Sequence, residues 1–151
     1  MSCELGAYLA GANERVKRAL RAYGLNVGIA YQIYDDCLDI FGQEPKVGKS
    51  LGTDLEKGKL TLPVLHIIER APAAEREKVN ALILRNGQGN NGHDWMELFE
   101  RHQAVSYTLD ATQGYIQKAL DALADVPSSD AQSRLAALAA FVSCQIRAIA
   151  P

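Results

Sequence analysis

Three aspartates stand within five residues in the run Tyr31-Gln32-Ile33-Tyr34-Asp35-Asp36-Cys37-Leu38-Asp39. On a helix, Asp35 and Asp39 are four apart and Asp36 and Asp39 three apart, so the carboxylates share one side, with Gln32 a turn earlier. Like charges this close repel unless a cation lies between them. A hard divalent ion such as Mg²⁺ suits an all-oxygen donor set. Mg²⁺ takes one or two carboxylates and completes its shell with water and phosphate oxygens.

The segment that follows runs through Ile40-Phe41-Gly42, Lys46, Gly48-Lys49, Gly52-Thr53-Asp54, Gly58-Lys59 and Thr61-Leu62-Pro63. Its glycines let the backbone bend tightly and approach a ligand. Lys46, Lys49, Lys57 and Lys59 are candidate phosphate partners, each acting as a point charge. A cluster of aspartates beside a lysine-bearing loop is a diphosphate site in outline. Each part has a plainer reading by itself: an isolated DDxxD is a solvated acidic face, and loop glycines are turns. The basic stretch Arg15, Lys17, Arg18 and Arg21 reads as a solvated face. What is informative is the combination and order over about thirty residues.

The elements that must position these groups are helical. Prolines at 45, 63, 72, 127 and 151 separate long stretches with helical apolar spacing. Val105, Leu109, Thr112, Ile116, Ala119 and Leu123 form one stripe, and Leu135, Leu138, Val142, Ile146 and Ile149 form another. Asn13, Thr61, Asp94 and Ser129 are candidate N-caps, the last two in capping-box patterns with Glu97 and Gln132. The expected helices cover about 2–10, 14–41, 61–70, 73–85, 94–103, 104–124 and 129–149, with a loop at 42–59. No alternating strand pattern occurs. The class is all-α, a helical bundle or orthogonal array.

The composition narrows the function classes. The chain has 151 residues, 48% hydrophobic and 23% charged, with a formal net charge of −2. That length supports one domain with a core, and the acidic balance argues against nucleic-acid binding through bulk charge. No apolar run is long enough for a transmembrane span, and the N-terminus lacks a signal-peptide pattern, so a cytoplasmic setting is expected. Cys3, Cys37 and Cys144 are scattered and read as buried free thiols, with no zinc-ligand spacing. There is no nucleophile elbow and no Walker loop.

Residues Tyr31 to Pro63 resemble the second aspartate-rich motif and lysine loop of the trans-isoprenyl diphosphate synthases, the polyprenyl synthetase family. Weaker resemblance extends from Leu5-Gly6-Ala7 and Ala22-Tyr23-Gly24 to Tyr115-Ile116 and Phe141-Val142, nearly the whole chain. It implies the isoprenoid synthase fold, with residues 1–151 as the C-terminal part of a polyprenyl synthetase domain. By this resemblance Asp35, Asp36 and Asp39 ligate Mg²⁺, while Lys49 and Lys59 hold an allylic diphosphate. Gln32 lies beside the site, and Tyr31 stands where phenylalanine is more usual. The implied catalytic set is Asp35, Asp36, Lys49 and Lys59. The implied reaction is head-to-tail condensation of that allylic diphosphate with isopentenyl diphosphate.

The family faces two aspartate-rich motifs across a bundle, whereas DDxxD occurs once here, so the chain resembles the family's C-terminal half. The first helices are therefore expected to show an apolar face, and a homo-oligomer or a partner chain to supply the remaining helices. Two functions fit: part of a prenyl diphosphate synthase, or a non-catalytic helical subunit of one.

Overall fold

The structure, a computed structural model, describes residues 1–41, 53–84 and 92–148. Its α-helices are α1 (Ser2–Leu9), α2 (Glu14–Phe41), α3 (Thr53–Glu56), α4 (Leu62–Arg70), α5 (Ala73–Leu84), α6 (Gly92–Arg101), α7 (Ala104–Ala122) and α8 (Asp130–Arg147). A 3₁₀ turn, Leu123–Asp125, follows α7. No strand occurs among the described residues, and the all-α expectation agrees. The chain divides into two compact units. One holds Met1–Tyr34 and Ala111–Ala148; the other is centred on Asp35–Asp110.

In the first unit the expected start signals operate. Asn13 Oδ1 accepts the Val16 amide at 3.0 Å and starts α2. Ser129 Oγ accepts the Gln132 amide at 3.2 Å and starts α8. The Gln132 side chain does not close the capping box, because its amide donates to the Leu123 carbonyl at 3.2 Å instead. Thr112, Ile116, Ala119 and Leu123 are buried as the α7 stripe requires. The α8 stripe differs from expectation: Leu138 is 49% exposed and Ala139 takes the core position. Tyr23 is fully buried and its hydroxyl donates to the Leu135 carbonyl at 2.7 Å, tying α2 to α8. Burial, then the nearby Cys3, raises the Tyr23 pKa.

Arg15, Arg18 and Arg21 of the basic stretch of α2 are solvated as expected, whereas Lys17 is largely covered, its ammonium 4.9 Å from the Tyr8 ring centroid. Arg15 reaches Asp125 at 2.6 Å, Lys17 reaches Glu14 at 2.9 Å and Arg21 reaches Glu4 at 3.5 Å. Leu5, Tyr8, Leu9 and Leu25 are exposed, the apolar face that the sequence foretold for the first helices. The cysteines are free, but Cys37 alone of the three is buried, because Cys144 falls on the outer side of α8.

The second unit packs Ile40, Val64, Ile67, Ala71, Val79, Leu82, Trp95, Leu98, Phe99 and Ala104 into one core. Phe41 meets Phe99 edge-on at 5.3 Å, and Trp95 stacks on Phe99 at 5.7 Å. These contacts fix the last turn of α2. Thr61 holds the N-cap position of α4, with Pro63 in the first turn, but its hydroxyl makes no capping bond and is buried without a partner. Asp94 lies inside the first turn of α6 rather than capping it, and pairs with Lys78 at 3.4 Å. Glu75 joins α5 to α6 by accepting from His102 Nε2 at 2.8 Å and from Arg101. The hydrogen bond from His102, then that from Arg101, holds the Glu75 carboxyl below its ordinary range.

Two outcomes follow from these contacts. Gly28 has open space where a Cβ would sit, whereas at Gly24 the added atom would lie 3.1 Å from Cys3 Sγ. Gly28→Ala should raise stability by about 0.5–1 kcal/mol in urea unfolding, and Gly24→Ala should gain clearly less; equal gains would show that Cys3 yields freely. Because the Glu75 pKa is depressed on folding, its contribution is present above the ordinary value of 4.5 and lost as pH falls through the folded value. The melting-temperature gap between the protein and Glu75→Gln should therefore be open at pH 7 and close under acid conditions. A gap that does not change with pH would contradict this.

Candidate active site

The C-terminal turns of α2 carry the aspartates. Cys37 and Ile40 are buried, and the carboxylates occupy the adjoining side. Asp36 and Asp39 are 8% and 5% exposed, and Asp35 is half-buried. Carboxylates so withdrawn from water require hydrogen-bond or charge partners. The structure supplies different partners to Asp36 and Asp39.

Asp39 is held by backbone and hydroxyl. Its Oδ2 accepts the Asp54 amide at 2.8 Å, and its Oδ1 accepts the Thr53 hydroxyl at 3.1 Å. These bonds seat α3, a short helix inside the segment expected to be loop. The expectation missed it because four residues are too few to show apolar periodicity. Leu55 packs against the core on the other side of α3.

Gly58 then reverses the chain. It adopts φ +65°, a left-handed conformation that an L side chain resists. The Gly58 amide donates to the Leu55 carbonyl at 3.1 Å and the Lys59 amide to the Asp54 carbonyl at 2.8 Å, the hydrogen-bond pair of a Schellman ending. The reversal brings Lys59 back over the aspartates. Lys59 Nζ donates to Asp36 Oδ1 and to Asp54 Oδ2, each at 2.8 Å. The bonds to Asp36 and then Asp54 raise its pKa, so the ammonium stays charged. Burial, then the Asp36 charge, pushes the Cys37 thiol up to about 12, which leaves it no thiolate character near neutral pH.

Of the residues singled out in sequence, Asp35, Asp36, Asp39 and Lys59 share this unit, and Asp36 and Lys59 are in direct contact. Gln32 and Tyr31 are exposed on the stretch of α2 assigned to the other unit, where the Tyr31 and Tyr34 rings lie 5.9 Å apart. Lys46 and Lys49 lie outside the described residues, and Lys57 is exposed. Asp54 and Thr53 were missed as site residues. Their signal was the Gly-Thr-Asp run itself, which reads as a turn until its partner across α2 is known.

Oxygen donors dominate the arrangement, which is the chemistry of a hard cation. Two carboxylates, Asp36 and Asp54, converge on one positive centre, the Lys59 ammonium. Among the described residues no group of three or more His, Cys, Asp or Glu side chains is gathered as a ready set of metal ligands.

Residues 1–99 match the family model of polyprenyl synthetase. The chain is 36% identical over 137 residues to a short chain isoprenyl diphosphate synthase of Methanothermobacter thermautotrophicus, covering 91% of this chain and 42% of that protein. It is 36% identical over 144 residues to heptaprenyl diphosphate synthase component 2 of Bacillus subtilis, covering 94% of this chain and 40% of that one. A polyprenyl synthase from Caulobacter crescentus, solved with calcium and isoprenyl diphosphate, superposes with a TM-score of 0.81 at 40% identity, over 93% of this chain and 43% of that chain. The chain thus spans about two fifths of the length of the curated relatives it matches. With its helices, aspartates and lysine reversal in the pattern described above, the chain belongs to the polyprenyl synthetase family.

Proposed function

We propose that this chain supplies the second aspartate-rich diphosphate and Mg²⁺ site of a prenyl diphosphate synthase. The carrying observation is the convergence of Asp36 and Asp54 on the Lys59 ammonium at 2.8 Å. A lysine held between two acids is poised between carboxylate and phosphate partners, and a divalent ion at the acids would free it for phosphate. In this reading Asp35, Asp36 and Asp39 hold Mg²⁺, Lys59 and Lys49 hold the allylic diphosphate, and Gln32 and Tyr31 border the substrate.

When bound, Mg²⁺ withdraws charge from a diphosphate leaving group. Lys59 contributes the same electrostatic help from the protein side. Heterolysis of the allylic C–O bond gives a carbocation and inorganic diphosphate. The double bond of isopentenyl diphosphate attacks the cation, and loss of a proton restores an alkene. The C. crescentus neighbour, with its calcium and isoprenyl diphosphate, supports the class of ligand.

A second reading has the chain as a non-catalytic helical subunit of a synthase. It draws on the single DDxxD, on the name "component 2" of the B. subtilis relative, and on the exposed Leu5, Tyr8, Leu9 and Leu25. In either reading a homo-oligomer or a partner chain completes the bundle. No helix among the described residues is long and apolar enough to cross a membrane.

Calorimetry should show an allylic diphosphate and Mg²⁺ binding together. Asp36→Ala should weaken that binding at least roughly tenfold, with helical circular dichroism preserved. No binding heat from a folded sample, or an unaffected Asp36→Ala, would sink the proposal. Incubation of the chain alone with labelled isopentenyl diphosphate and an allylic partner should give negligible product, and robust turnover would show that one aspartate motif suffices.

A further inference from the structure

The three aspartates of α2 do not have equivalent surroundings. We propose that Asp39 is the positioning residue of the site: its carboxylate docks α3 onto α2 and thereby sets where Lys59 sits. The inference rests on the reading of this site as a diphosphate site. It assigns to Asp39 a duty that its place in a DDxxD run does not reveal.

The chain of contacts is short and complete. Asp39 is 5% exposed and has each oxygen engaged, Oδ1 by the Thr53 hydroxyl and Oδ2 by the Asp54 amide. Leu55, the next residue, is partly buried and packs against the core. With α3 pinned at its start by Asp39 and on its flank by Leu55, the turn at Gly58 has a fixed origin. The Lys59 amide returns to the Asp54 carbonyl at 2.8 Å, and the Lys59 ammonium lands between Asp36 and Asp54. Asp36 meets the cation directly, whereas Asp39 meets the backbone that carries the cation.

The two duties have different chemical requirements. Meeting a cation needs negative charge. Docking α3 needs one acceptor for an amide and one partner for a hydroxyl, which can itself donate or accept. An asparagine at 39 can accept the Asp54 amide with its oxygen and donate its NH₂ to the Thr53 hydroxyl. Asp39→Asn should therefore preserve the dock, Asp39→Ala should break it, and Asp36→Asn should remove the ion pair while leaving the dock in place.

Amide exchange by NMR and calorimetry with inorganic pyrophosphate plus Mg²⁺ test this on the chain. Asp39→Ala should speed exchange of the Asp54 amide by about tenfold or more and weaken pyrophosphate by a similar factor. Asp39→Asn should return the Asp54 exchange to within about threefold of the original protein. The inference is overturned if Asp39→Ala leaves Asp54 exchange unchanged. It is equally overturned if the Asp54 amide exchanges as fast in Asp39→Asn as in Asp39→Ala, for the dock would then need the carboxylate charge. Should the alanine variant not fold, Thr53→Val and Thr53→Ser replace it: the valine should speed Asp54 exchange and the serine restore it, and identical rates would refute the dock. If the unaltered chain binds no pyrophosphate with Mg²⁺, the diphosphate reading fails, while the exchange measurements still decide the role of Asp39.

Discussion

Three carboxylates within two turns of one helix are a problem in electrostatics before they are a site. At about 4 Å, two like charges near a protein surface repel by roughly 4 kcal/mol. In this chain the Lys59 ammonium between Asp36 and Asp54, and the amide and hydroxyl on Asp39, answer that repulsion. All these partners come from one segment, Thr53 to Lys59. The acidic end of α2 and that segment are therefore mutually dependent: neither charge set would be comfortable in this fold without the other.

Apolar packing makes the pairing possible. Ile40 and Phe41 carry the end of α2 into a core built with α4, α5 and α6, and Leu55 carries α3 onto the same core. The aspartates are thus held on a rigid element, as a binding constellation needs. Lys78 with Asp94, and Glu75 with Arg101 and His102, lace α5 to α6 around that core; the Lys78 pair is solvated and carries little energy, whereas Glu75 and His102 are more sheltered.

Membership of the polyprenyl synthetase family gives these interactions their meaning. The chain spans about two fifths of the relatives it matches, and it shows exposed apolar side chains on α1 and α2 together with a single aspartate motif. Both features motivate the proposal that further helices complete the binding cavity. The electrostatic logic of Asp36, Asp54 and Lys59 operates within a single unit of this chain.

The helices other than α3, and the family, were legible in the sequence. Periodic apolar residues and the caps Asn13 and Ser129 are local signals, because helix hydrogen bonds and caps link residues three or four apart. The aspartate and lysine residue types were legible in the same way, because charge and spacing are written in the chain. Tertiary structure decided the rest. Leu138 yielded its core place to Ala139 because α8 is oriented by its neighbours, and Asp94 fell inside α6 because the helix begins earlier than its best cap. The seating of α3, the turn at Gly58 and the separate employments of Asp36 and Asp39 depend on groups 14 to 23 residues apart meeting across α2. No periodicity encodes such a meeting, which exists only once the core has drawn the two segments together.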